Sequence, residues 1–194
     1  MKEFQINHRR FEVLDAGDFV SEPDIAALEG KIGTQLPAQL RSYYLRWNGG
    51  LPYPLDLPND CESVSVRLRW KEGADAASFG PAADINELFL INADPNRDFF
   101  RTWSDFKDRI PSDCLCFARD SGGSLFLIGI QPHNLGRIYF WERVHEADIG
   151  AGELPSHDNI ADVADSFNDF LLALREEPKS DESLDAWVQR VYSE

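Results

Sequence analysis

Residues 25–54, IAALEGKIGTQLPAQLRSYYLRWNGGLPYP, constrain the fold more than any other stretch: they spell a helix, a break, a second helix and a glycine stop. Ser21 can cap the first helix, and Asp24 three residues on makes a short-armed capping box. Ile25, Leu28 and Ile32 recur at helical spacing and share one face. Gly33 stands where a left-handed residue would end that helix. Pro37 suits the opening of the second helix, where a missing N–H leaves no intrahelical bond unmade. Leu40, Tyr44 and Trp47 line one face of it. Asn48-Gly49-Gly50 closes it with residues that accept positive φ.

The rest of the chain follows two periods. Val64, Val66, Leu68 and Trp70 alternate with Ser65, Arg67 and Arg69, the pattern of a half-buried strand. Residues 71–84 are rich in Gly, Ala and Asp and read as a loop, whereas 85–91, INELFLI, fits a strand or a helix equally. Phe99, Trp103, Phe106 and Ile110 predict a helix over 98–110, stopped by Pro111. Strands are expected at 114–118, 125–130 and 137–142, joined by short turns into an antiparallel meander. The run Leu125-Phe126-Leu127-Ile128 suits a strand covered on both faces or lying at the sheet centre. Residues 144–157 read as a polar, glycine-containing loop. Ile160, Val163, Phe167, Phe170, Leu171 and Leu174 predict one amphipathic helix over 160–174. Leu184, Trp187, Val188 and Val191 predict a short terminal one. A brief strand is expected around Phe11, Val13 and Leu14. Helix pair first, meander later and helices last give an α+β fold. One domain is expected over 1–194, with its core at 24–175 and a C-terminal helical extension at 180–194.

Composition narrows the function classes. An apolar fraction of 43%, with five Trp and thirteen Phe, is ample for a packed core. Thirty-four acidic residues against nineteen basic ones leave a net charge of −15. That charge opposes binding to nucleic acid or anionic lipid and favours a basic partner, while also serving plain solubility. The opening MKEFQINHRRF lacks the apolar core of a signal peptide. No apolar run approaches the ~20 residues of a membrane span. A cytoplasmic protein is therefore expected. Three cysteines, an odd number, give no disulfide framework.

No catalytic or metal-binding pattern stands out. Cys114 and Cys116 could share one side of a strand, but with Cys61 distant they read as small buried apolar residues. His8, His133, His145 and His157 form no recognised ligand spacing and read as loop histidines. Ser124 after two glycines lacks the G-x-S-x-G elbow and the following helix. Carboxylates recur at helical spacing: Asp84 with Glu87, Asp105 with Asp108, Asp158 with Asp162 and Asp165, and Glu176 with Glu177. A metal-dependent hydrolase would need such groups to converge, and in so acidic a chain they read as solvated faces. Tyr43, Tyr53, Trp70 and Phe140 are the aromatics least clearly directed inward. No enzyme activity, cofactor or metal is expected.

Leu28-Glu29, Ile32-Gly33, Leu36-Pro37, Tyr44-Leu45 and Asn48-Gly49-Gly50 resemble the N-terminal signature of the SUKH superfamily. Asp120-Ser121-Gly122-Gly123 resembles its acidic, glycine-rich hairpin, and Ser166-Phe167 the Ser-Phe pair of its closing helix. The likeness spans roughly 24–175. It implies a non-enzymatic protein-binding domain. One branch comprises bacterial immunity proteins that neutralise a cognate toxin, here expected to be a basic nuclease domain. The alternative is an intracellular scaffold or regulator of the Smi/Knr type, and a metal-dependent hydrolase is a remote third. The resemblance casts Leu36, Pro37, Asn48, Gly49, Gly50, Asp120, Gly122, Gly123, Ser166 and Phe167 as architecture. Partner contacts are expected on loops 51–60 and 71–84 and at the acidic turn, through Tyr53, Asp56, Asp60, Glu72, Asp75 and Asp120.

Overall fold

The computed structural model describes residues 3–58, 61, 63–177, 179 and 182–192, with Leu184 described in its backbone alone. The elements run β1 (Glu3–Ile6), β2 (Arg9–Leu14), α1 (Glu22–Ile32), α2 (Ala38–Trp47), β3 (Leu51–Pro54), β4 (Val64–Arg67), β5 (Ala82–Asp84) and β6 (Glu87–Leu88). They continue α3 (Phe99–Phe106), β7 (Cys114–Arg119), β8 (Leu125–Gly129), β9 (Ile138–Trp141), β10 (Ile160–Ala164), α4 (Phe167–Ala173), β11 (Arg175–Glu176) and α5 (Leu184–Tyr192). The fold is α+β, and the strands of its three sheets pair antiparallel.

The expected meander forms the centre of the largest sheet, ordered β10-β9-β8-β7-β6. Its three middle strands are buried along almost their whole length. The cause is cover on both faces, since successive strand residues point to opposite sides. Phe140 meets Phe126 at 5.2 Å between ring centres, and Phe126 meets Phe170 of α4 at 5.7 Å. The next residue, Trp141, meets Phe106 of α3 at 5.9 Å. A strand with helices on both sides can be apolar at every position.

The N-terminal helix pair closes as its residues predict. The Asp24 carboxylate accepts from the Ser21 backbone N–H at 2.8 Å and from its hydroxyl at 2.5 Å. Glu29 Oε1 accepts from Leu36 N–H at 3.0 Å and Arg41 Nε at 3.1 Å, which ties the turn between the helices. At the end of α2 the backbone of Asn48 turns left-handed, with φ +50°. Its buried side chain then accepts from Ile91 N–H at 2.8 Å and donates to the carbonyls of Ile91 and Asp18 at 3.0 and 2.9 Å. Gly50 exchanges two backbone bonds with Leu88, at 3.1 and 2.9 Å. This junction joins the edge of the β1-β2-β3 sheet to β6.

The predicted helix over 160–174 divides in two. Residues 160–164 instead pair with β9 as strand β10, and the helix begins only after Ser166. Ile160, Val163 and Phe167 have helical spacing, but β9 offers an unpaired edge whose backbone bonds outweigh that local preference. The Ser166 hydroxyl accepts from Asp169 N–H at 3.2 Å and so caps α4. Phe167 lies buried against Tyr43, 5.3 Å away, and Phe117, 5.7 Å away. Ser166→Ala is expected to cost ~1 kcal/mol, measured by urea unfolding, because it strips the cap while leaving the packing intact.

Other boundaries move less. Helix α3 ends at Phe106, so buried Ile110 lies in the turn beyond it. The undecided 85–91 segment is extended and contributes only the short strand β6. Residues 3–14 form a full hairpin, and β2 goes on to pair with β3. Tyr43 and Phe140 are buried, while Tyr53 and Trp70 are half-buried, so these four aromatics do not make an exposed patch. At the C-terminal end Trp187 is fully buried, and its Nε1 donates to the Glu176 carbonyl at 2.7 Å.

Candidate protein-binding surface

The residues expected to contact a partner separate into distinct places. Tyr53 spends its hydroxyl on the Cys61 carbonyl, at 2.9 Å. Asp56 is exposed, yet both carboxylate oxygens lie 3.0 Å from Arg9 Nε. The same guanidinium reaches inward to the carbonyls of Leu172 and Leu174. Asp56 thus serves as counter-ion to a partly buried cation. Asp60 lies outside the described residues.

Asp120 is 3% exposed and sits under the β7–β8 turn rather than on it. Its carboxylate accepts from Ser124 N–H at 2.7 Å. The neighbouring Ser121 donates N–H and hydroxyl to Asp84, at 3.1 and 2.5 Å. Its expected contact role is therefore withdrawn: the sequence shows an acid in a glycine turn but not which way the side chain folds. Burial pushes the Asp120 carboxyl up to about 6, and the nearby Asp84 adds to the rise against the lowering by backbone N–H groups. The folded state then holds a proton that the unfolded chain has released between about pH 4 and 6. Its stabilising contribution is complete at lower pH and is lost as pH rises through about 6. Asp120→Asn keeps the acceptor and removes the titration. Its stability relative to the parent should rise as pH climbs from 4 to 7. Equal pH slopes in chemical denaturation would refute this.

Glu72 and Asp75, by contrast, come together with residues far along the chain. They line an open depression of about 430 Å³ with Lys71, His145, Glu146, Asp158 and Asn159. Glu146 also lines the adjoining depression of about 550 Å³ with Asp108, Arg109, Asp148 and Ile149. Arg109 pairs with Glu146 through two bonds of 2.8 and 2.7 Å. Among the described residues, Glu72, Asp75, Asp148 and Asp158 have no cation within ion-pair distance.

Large apolar side chains stand exposed on the same two segments. Val144 and Leu154 are each 83% exposed, with Phe79 and Ile149 partly so. The loop that carries three of them is held by its neck. Glu142, almost fully buried, accepts from Val144 N–H at 2.8 Å, His145 N–H at 2.9 Å and the His145 ring at 2.6 Å. Asn159 donates to the Glu142 carbonyl at 2.7 Å. With both ends fixed, the loop presents apolar side chains outward without collapsing onto the core. Sequence reading missed Glu142, Asn159 and these exposed side chains. The available signal was Val144 and Leu154, large apolar residues inside a polar, glycine-containing stretch.

The carboxylate pairs noted in the sequence do not converge. Glu87 pairs with Arg97 and Arg119, Asp105 with Arg101, and Asp162 and Asp165 with Arg137. Different cations hold Glu87, Asp105 and the Asp162–Asp165 pair, and no three carboxylates gather at one point among the described residues, which disfavours a carboxylate-built hydrolase centre. Among the described residues no helix is long and apolar enough to cross a membrane.

Acids and aliphatic side chains exposed together on a fixed loop are what a protein contact needs, since charges steer encounter and apolar groups anchor it. The fold and this surface define an α+β protein-interaction domain. The chain belongs to the SMI1 / KNR4 family (SUKH-1), whose model matches residues 20–173. No curated protein matches the chain.

Proposed function

We propose that this chain is a bacterial immunity protein that binds and neutralises a cognate toxin, a basic nuclease domain, in the cytoplasm. The observation that carries the reading is the face built from 71–80 and 143–159. These segments carry acids with no counter-ion among the described residues, and Val144, Ile149 and Leu154 stand exposed on the second of them. Net charge of −15 draws a basic domain from a distance, and the unpaired acids occupy the positions that nucleic-acid phosphates would take on it. The exposed aliphatic groups then exclude water at the centre of the contact. Inhibition follows from covering the toxin's substrate-binding face. No residue of this chain takes part in chemistry.

The test is a pull-down from the source cell with tagged protein, at low and moderate salt, read by mass spectrometry. Recovery of one basic toxin domain, depleted as salt rises, is the expected result. Recovery of housekeeping assemblies instead would move the assignment to the scaffold or regulator class.

A further inference from the structure

The start of β7 brings together three donors that sequence spacing keeps apart. Asp113 Oδ1 lies 3.1 Å from His157 Nε2 and 3.7 Å from Cys114 Sγ. One ligand atom from each residue falls within 4.8 Å of the others, and this is the one such mixed cluster among the described residues. A second ring stands on the far side of the same carboxylate, with His133 Nε2 3.1 Å from Asp113 Oδ2. Buried Asn134 donates to Asp113 Oδ2 at 3.0 Å and to its backbone carbonyl at 3.2 Å. The ring of Tyr139 packs edge-on against His157, 5.9 Å between centres.

We propose that Asp113, Cys114 and His157 form a binding site for a divalent metal of the zinc class, its fourth position taken by a water. Zinc holds sulfur at about 2.3 Å and nitrogen or oxygen at about 2.0 Å, so tetrahedral neighbours sit roughly 3.3–3.6 Å apart. The two distances to Asp113, 3.1 and 3.7 Å, bracket that spacing, and the sulfur and the imidazole nitrogen lie within 4.8 Å of each other, so a bound metal would draw Cys114 and His157 together. The donor set is mixed sulfur, nitrogen and oxygen, which suits zinc and not magnesium or calcium. Binding displaces the Cys114 thiol proton to solvent and requires the neutral His157 ring to carry its proton on Nδ1. Asn134 orients the carboxylate, as second partners of metal ligands do.

The thiol belongs to the same network: Cys114 is 3% exposed, its sulfur faces the Asp113 carboxylate and the Asn134 amide lies 3.8 Å from it. Cys116, fully buried two residues on, takes no part, so the C-x-C pair is not the site. A bound metal would clamp residue 157 to β7, fixing the far end of the loop 143–159 to the sheet.

The experiment is titration of reduced, metal-free, full-length protein with Co²⁺, followed by absorbance. The expected result is saturation at one equivalent, with a thiolate-to-cobalt charge-transfer band and the strong visible bands of tetrahedral coordination. Zn²⁺ should abolish both by displacement. Cys114→Ser should lose the charge-transfer band, and His157→Gln should weaken binding by at least ~100-fold. Cys61→Ser should leave the spectrum unchanged. His157 is partly exposed, so its variant carries the test even where Cys114→Ser fails to fold. Absence of a thiolate band in the parent, or its persistence in both site variants, would overturn the proposal. The assay needs no protein partner, so its failure leaves the toxin-binding reading intact.

Discussion

Gly49→Val should lower the unfolding free energy by roughly 3–5 kcal/mol, among the largest effects of any single substitution in this chain. Two costs combine. Gly49 has φ +74°, a left-handed conformation that strains a β-branched residue by about 1–3 kcal/mol. A Cβ at that position would also lie 2.3 Å from the Phe89 carbonyl oxygen and 2.8 Å from that of Leu88. Both are backbone atoms and cannot swing aside. Relieving the overlap means breaking the Gly50–Leu88 bridge or pulling Ile91 from the Asn48 amide, so the junction of two sheets is lost with it. In a chain of this size the melting temperature should fall by on the order of 10 °C. Gly30→Ala makes the internal control. Gly30 lies within α1 with no atom within 4 Å of a built Cβ, so alanine there should stabilise by ~0.5–1 kcal/mol. An unchanged urea midpoint for Gly49→Val would mean that the junction is not a rigid part of the fold.

The second large effect concerns the proposed contact face and divides by rate. Glu72→Lys with Asp75→Lys reverses two acids that have no counter-ion among the described residues, so the fold should be nearly indifferent to the change. Association with a basic partner should slow by about 10- to 100-fold at low salt, and the gap should shrink as salt screens the face. Leu154→Asp removes an exposed anchor and sets a charge where the contact should be dry. Dissociation should accelerate by roughly 100-fold, while association changes little. Asp18→Lys reverses an exposed acid outside both depressions and should do neither. Surface plasmon resonance with the captured toxin domain separates the two rates. Identical rate constants for all four proteins would remove this face from the interface.

Much of the architecture is written locally. The meander is legible because alternation, apolar runs and the Asp120-Ser121-Gly122-Gly123 turn agree with one another. Helices α1 and α2 are legible because their caps have chemistry of their own, carried by Ser21, Asp24, Gly33 and Asn48. Residues 160–164 mislead because five residues carry too little periodic signal to separate strand from helix, and the edge of β9 decides. The contact face was half visible: Glu72 and Asp75 come from the expected loop 71–84, which in fact holds a 3-10 turn and ends in strand β5, but their neighbours His145, Glu146 and Asp158 lie roughly seventy to eighty-six residues further on.

What the sequence determined by itself is therefore the N-terminal helix pair, the central meander and the α+β class. These follow from spacing, capping and turn residues, whose forces act within a few positions along the chain. It also determined the charge, and with it the kind of partner that long-range attraction favours. Tertiary structure alone decided which acids are free. Asp56 answers Arg9 and Asp120 its own hairpin, whereas Glu72 and Asp75 remain without a counter-ion among the described residues. It alone also carried His157 to Asp113 and Cys114. A side chain's partners are set by distance through space, and in a folded chain that distance bears little relation to separation in sequence.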